Sequence, residues 1–99
     1  MASSKEYKDF VLEQCNNLSA RAMMGEYVLY YNGKVIGGIY DNRLLVKPTP
    51  SAISFMNEAQ RELPYEGAKE MLLVEDIGDR EFLKKLFEAM YKEWPEQRK

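Results

Sequence analysis

At the N-terminus, Tyr7, Phe10, Val11, Cys15 and Leu18 recur three and four positions apart. That spacing lines one side of a helix and predicts α-helix over about 4–18. Ser3 followed by Glu6 is a capping-box pattern that opens it.

From Arg21 the period changes to two. Tyr27 to Tyr31, then Asn32-Gly33, then Lys34 onward predicts a hairpin closed by a two-residue type I′ turn. The turn sets a register: Tyr31 opposite Lys34, Tyr30 opposite Val35, Leu29 opposite Ile36, Val28 opposite Gly37 and Tyr27 opposite Gly38. A second tight turn at Asp41-Asn42 pairs Tyr40 with Arg43, Ile39 with Leu44 and Gly38 with Leu45. Because side chains alternate along a strand, this register sorts them onto two faces. Val28, Tyr30, Val35, Ile39, Leu44 and Val46 read as the core face. Tyr27, Leu29, Tyr31, Lys34, Ile36, Tyr40, Arg43, Leu45 and Lys47 form the other, a mixture of aromatic, aliphatic and basic groups. Gly37-Gly38 lies inside a strand run, so it serves close packing opposite Tyr27 and Val28 rather than a phosphate loop.

Further along, Pro48-Thr49-Pro50 ends the third strand, and Thr49 as N-cap with Pro50 at the first helical position starts a helix over about 50–60. Ile53, Phe55 and Met56 are its core candidates. Strands follow at about 61–65 and 70–75, the second nearly all apolar and so interior to the sheet. The last helix, about 79–94, carries Phe82, Leu83, Leu86, Phe87, Met90, Tyr91 and Trp94 around half its girth. Such a helix needs cover on two sides, from the sheet and from another helix or a partner subunit. Pro95 is expected to end it, with 96–99 frayed. The result is an α+β fold of two layers, with helices on one face of a five-stranded antiparallel sheet. Its core comprises Phe10, Val11, Val28, Ile39, Leu44, Val46, Leu72, Val74, Phe82, Leu86 and Met90.

Composition narrows the chemistry. Ninety-nine residues, 45% of them hydrophobic and 30% charged, make one globular domain over 1–99. There is no histidine, which removes the commonest general base, the Ser-His and Cys-His nucleophiles and every His-ligated metal site. The single cysteine excludes an internal disulfide, and Cys15 reads as a small core residue. A net charge of −2 argues against gripping duplex DNA through its phosphates. No apolar run suits a leader or a membrane span, so the expectation is a cytoplasmic chain without membrane contact.

Glu75, Asp76 and Asp79 cluster where a strand passes into the last helix. An acid pair there resembles hydrolytic machinery, but acids at a helix N-terminus already stabilise the dipole. Asp76-Ile77-Gly78-Asp79 lacks the ligand spacing of a calcium loop. No catalytic residue, metal site or cofactor is expected. Arg21, Arg43 and Lys47 could clamp an anion, although strand-borne cations are commonly solubilising charge.

What stands out is the second sheet face. Its centre of Tyr27, Leu29, Tyr31, Ile36, Tyr40 and Leu45, rimmed by Lys34, Arg43 and Lys47, has the composition of an interface. The expectation is a two-fold homodimer through that patch, dissociated by Leu29→Glu. The alternative is direct nucleic-acid binding, with Tyr27, Tyr31 and Tyr40 stacking on bases beside Arg43 and Lys47.

The run Arg21 to Tyr31, continuing through Asn32 to Asp41 and Arg43 to Lys47, resembles the N-terminal domain of the TfoX/Sxy family. So does the stretch from Leu63 to Glu75, and the similarity extends from Tyr7 to Pro95. The resemblance implies a two-layer α-β3-α-β2-α fold like that of secretion chaperones. It also implies a competence-gene regulator that works with the cyclic-AMP receptor protein as a transcriptional coactivator. A protein partner in transcription and only indirect or weak DNA contact follow from it. Full-length family members carry a second, C-terminal helical domain, and the similarity covers the first. The family brings no catalytic residues to transfer.

Overall fold

Three turns whose two central residues both have positive φ build the first half of the fold. They are Met24-Gly25 (54° and 88°), Asn32-Gly33 (51° and 81°) and Asp41-Asn42 (55° and 55°). This is type I′ geometry, whose twist suits paired strands. In the computed structural model, which describes the backbone of residues 3–97 and side chains over 3–93, the turns join four strands. These are β1 (Leu18–Met23), β2 (Glu26–Tyr31), β3 (Lys34–Ile39) and β4 (Leu44–Val46), an antiparallel meander. A helix, α1 (Lys5–Leu12), precedes them. After them come α2 (Pro50–Phe55), β5 (Arg61–Glu62), β6 (Met71–Val74) and α3 (Arg80–Gln97). The sheet has six antiparallel strands in the order β1-β2-β3-β4-β6-β5, so β6 is interior as its apolar run requires.

The first helix is shorter than its apolar spacing suggests, and a strand takes its place. Ser4, rather than Ser3, is the N-cap, accepting from Tyr7 N at 3.1 Å. The helix stops at Leu12, where Gln14 N bonds back to Val11 O and Gln14 Nε2 to Phe10 O. Leu18, the last member of the stripe, instead begins β1. That strand is rich in small residues and has no β-branched side chain, so periodicity alone does not find it.

The register follows expectation at the turn and then changes. Tyr31 faces Lys34 and Tyr30 faces Val35, but a bulge at Ile36 leaves Leu29 opposite Gly37, Val28 opposite Gly38 and Tyr27 opposite Ile39. The expected pairs Ile39–Leu44 and Gly38–Leu45 are present, and Tyr40 and Arg43 exchange backbone bonds at 2.9 and 3.0 Å. At Gly37 a Cβ would press into the Leu45 carbonyl oxygen and lie 2.7 Å from Val46 Cα, so only glycine admits β4 this closely.

The bulge decides which face is buried. Leu29, Tyr31, Ile36, Ile39, Leu44 and Val46 all belong to one buried cluster with Val11, Ala52, Leu83, Leu86, Phe87 and Met90 of the helices. Val28, Tyr30 and Val35 are only half-buried, outside that cluster. The assignment of Val28, Tyr30 and Val35 to the core is therefore corrected, while Ile39, Leu44 and Val46 keep theirs. Burying a Leu or Ile in full yields about 1.5–3 kcal/mol. The arrangement that encloses Leu29, Ile36 and Ile39 together is favoured over one enclosing two valines.

Leu72, Val74, Leu86 and Met90 are buried as expected, and Phe82 is half-buried against the core. Phe10 is 44% exposed and leaves the core. Thr49 caps α2 through Ala52 N with Pro50 next, but Ile53 and Phe55 are exposed and Ala52 is the residue α2 buries. A six-residue helix is too short to turn all three apolar side chains inward, and of them only Met56, just past its end, packs half-buried against the core. The second cover that α3 requires comes from α2, tied to it by Ser51 N donating to Glu93 Oε2 at 3.1 Å. Pro95 does not end α3, which runs to Gln97. The expectations for the Trp94 side chain and for Arg98 and Lys99 lie outside the described residues.

Candidate interaction surface

The sheet face turned away from the helices is not bare. A cross-strand row of Val28, Gly38, Leu45 and Leu73 runs over it, with Tyr30 and Val35 beside the row. Leu45 is fully buried although it stands apart from the core cluster. Tyr40 lies over Gly38, where any Cβ would meet its ring. Its own ring meets that of Tyr65 edge-on, with centroids 6.0 Å apart. Burial, with Tyr65 and Glu26 adding to it, raises the Tyr40 phenol above its usual range. The segment over 63–70 thus arches back across the sheet, held by the Tyr40–Tyr65 pair just past β3 and by the Arg43 guanidinium, which donates to the Pro64 carbonyl at 3.5 Å.

Two clefts flank that pair and share Tyr40, Pro64 and Tyr65. The larger, about 630 Å³, is lined by Val28, Val35, Pro50, Ala68 and Met71, with Lys47, Lys69 and Glu70 among its polar residues. The other, about 580 Å³, is lined by Met23, Met24, Glu26, Arg43 and Glu66. Three of these side chains stand out in solvent: Met23 at 44%, Tyr65 at 60% and Met24 at 96% exposure. The walls are apolar and the charges sit beside them, the pattern of a protein-contact surface.

The residues expected to form one outer patch are divided by the fold. Leu29, Tyr31 and Ile36 are buried in the core, and Tyr27 packs half-buried against it with the Lys8 ammonium 5.5 Å from its ring centroid. Their placement on the outer face is corrected: the bulge brings Ile39, Leu44 and Val46 onto the face that carries Tyr27, Leu29 and Tyr31, and that joint face meets the helices. Tyr40 and Leu45 are on the outer face but buried. Lys34 is half-buried at the hairpin turn opposite Tyr31. Arg43 is engaged by Glu62 in an ion pair at 2.5 Å and by the Tyr40 carbonyl at 3.0 Å. Lys47 lines the larger cleft. Of the residues that do build the surface, alternation assigned Val28 and Val35 to the core face and did not single out Met23, Met24, Pro64 or Tyr65. Tyr65 carries the one local clue, an aromatic residue between Pro64 and Gly67, whose φ of 90° marks a turn.

The acidic cluster caps the last helix. Asp79 Oδ1 accepts from Phe82 N at 3.1 Å, and Asp76 Oδ1 from Gly78 N at 3.2 Å. The Cys15 thiol is half-buried and burial pushes its pKa up, against the smaller opposing pull of Lys84 and Arg80, so it stays protonated near neutrality. Among the described residues no group of three or more acids and cysteines is placed to hold a metal ion, and no helix is long and apolar enough to cross a membrane.

Residues 11–92 match the TfoX N-terminal domain. The chain belongs to that family. It is similar to an uncharacterized 12.7 kDa protein in the trpE 5′ region of Spirochaeta aurantia, with 39% identity over 80 residues that cover 78% of this chain and 70% of the relative. No solved structure matches it. TfoX N-terminal domains form a non-catalytic, competence-related regulatory family. The stretches that carry the TfoX likeness are also those that build the outer surface: residues 21–47 supply the end of β1 and all of β2 to β4, and 63–75 supply the arch and β6.

Proposed function

We propose that this chain is a cytoplasmic regulator of transcription that acts by contacting another protein, in the manner of a TfoX coactivator working with the cyclic-AMP receptor protein. The observation that carries this reading is the pair of apolar clefts on the helix-free sheet face, split by Tyr40–Tyr65 and edged by exposed Met23 and Met24. A net charge of −2 and the absence of histidine point the same way, toward contact rather than catalysis or phosphate neutralisation.

Direct nucleic-acid binding has less support. Tyr31 is in the core, Tyr40 is held beneath Tyr65, and Arg43 is paired with Glu62, so these groups do not form a platform on which bases could stack. Titration of the isotopically labelled chain with purified cyclic-AMP receptor protein tests the proposal. Amide shifts should move at Val35, Tyr65 and Met71, and Tyr65→Ser should weaken binding about tenfold, as loss of an aromatic anchor does. Binding to single-stranded nucleic acid alone, falling steeply with salt, would overturn it.

A further inference from the structure

The two edges of the sheet are treated differently. β5 is a two-residue edge, Arg61–Glu62, and Glu62 is held by Arg43. Short, charged edges of that kind resist pairing with another chain. β1 is six residues long, pairs with β2 without a bulge, and contains neither proline nor glycine. Its free side follows from the hydrogen-bond alternation of antiparallel strands. Asn32 N bonds to Asn17 O at 3.0 Å, and the Met24-Gly25 turn is closed by Met23 and Glu26, so Asn17, Ser19, Arg21 and Met23 spend their backbone groups on β2. The N–H and C=O of Leu18, Ala20 and Ala22 therefore point outward, and among the described residues no other strand pairs with them.

We propose that β1 is a self-association edge, pairing antiparallel with β1 of a second copy about a two-fold axis at Ala20. In that register Ala20 faces the partner's Ala20, and Leu18 faces the partner's Ala22, so every outward group finds a mate. The strand's one charge decides between this register and its neighbour. Centred on Ala20, Arg21 stands opposite the partner's Ser19. Centred on Arg21, it would stand opposite the partner's Arg21, and like charges directly opposed are destabilising. Only alanines lie between Leu18 and the turn on the helix side, so no bulky side chain obstructs the approach. A two-fold pairing of this kind is closed and joins two six-stranded sheets into one. It uses a different surface from the clefts proposed for the regulatory partner and stands independently of them.

Light scattering and sedimentation of the whole chain test this directly. At micromolar concentration the mass should be about twice 11.6 kDa. Ser19→Glu places a carboxylate opposite the partner's Arg21 on both sides of the axis and should lower the dimer Kd roughly threefold to tenfold, while Ser19→Arg should raise it by a similar factor. Ala20→Pro should abolish the dimer and leave the monomer folded by circular dichroism, because the N–H it removes faces outward. If Ala20→Pro unfolds the chain, the opposed response of the two Ser19 variants still decides. A monomer across the whole micromolar range overturns the proposal, as does a dimer indifferent to the charge at position 19.

Discussion

The hydroxyl of Tyr31 donates to Glu88 Oε2 at 2.5 Å, joining β2 to α3 across 57 positions of sequence. The ring lies tilted on Phe87 at 5.8 Å and edge-on to Tyr91 at 6.1 Å, so a residue with an apolar body and a polar tip meets both needs at the buried seam between the layers. Glu88 is thereby the acceptor that permits a tyrosine in the core.

Burial, reinforced by the Glu88 carboxylate, pushes the Tyr31 pKa up to about 12 from its usual 10. The folded state therefore holds this proton more tightly than the unfolded chain. The stability it contributes is complete below pH 10 and is lost as pH rises toward 12. Tyr31→Phe should cost about 1.5–3 kcal/mol at neutral pH, the range of a hydrogen bond to a charged group. Urea unfolding at a series of pH values should show wild type and variant converging between pH 10 and 12.

Leu29→Glu should unfold the chain instead of dissociating an assembly. Leu29 is fully buried beneath the helices, and a lone carboxylate there has no partner. A cost on the order of 4 kcal/mol is expected from an unpaired buried charge. Val35→Glu, one face over and half-buried, should cost about 1 kcal/mol or less. Equal losses in denaturant melts would contradict the bulged register.

Gly37→Ala should be among the most damaging single-methyl additions. The new Cβ would meet backbone atoms of Leu45 and Val46, which no rotamer change relieves. A loss of about 3 kcal/mol, the upper end for overpacking, is expected in calorimetry.

Ser3 ties the N-terminus to two hairpin tips. Its Oγ donates to Glu26 Oε1 at 2.5 Å and accepts from Asn42 N at 3.0 Å, while its N–H donates to Gly25 O at 3.1 Å. Ser3→Ala should cost about 1–2 kcal/mol by leaving those partners unpaired. Amide exchange at Asn42 should accelerate without a comparable change in β6.

Local chemistry in the sequence determined a good deal by itself. Asn32-Gly33 and Asp41-Asn42 have residues that accept positive φ, so both turns and the pairs next to them follow from short-range sterics. Thr49 with Pro50, the length of α3 up to its last turns, and the interior place of β6 follow equally from residues close together in the chain. Tertiary structure decided the rest. In β2 both faces are apolar, Tyr27, Leu29 and Tyr31 against Val28 and Tyr30, so alternation alone could not say which meets the helices. One bulged residue at Ile36 and the mate that Glu88 offers to Tyr31 settled it, and both depend on elements far away in sequence. The outer clefts have the same origin: Tyr65 comes over Tyr40 only because 63–70 folds back across a sheet whose order is set by packing. Period and turn chemistry are local, whereas the choice of face is made by whichever arrangement buries the most apolar area with every polar tip satisfied.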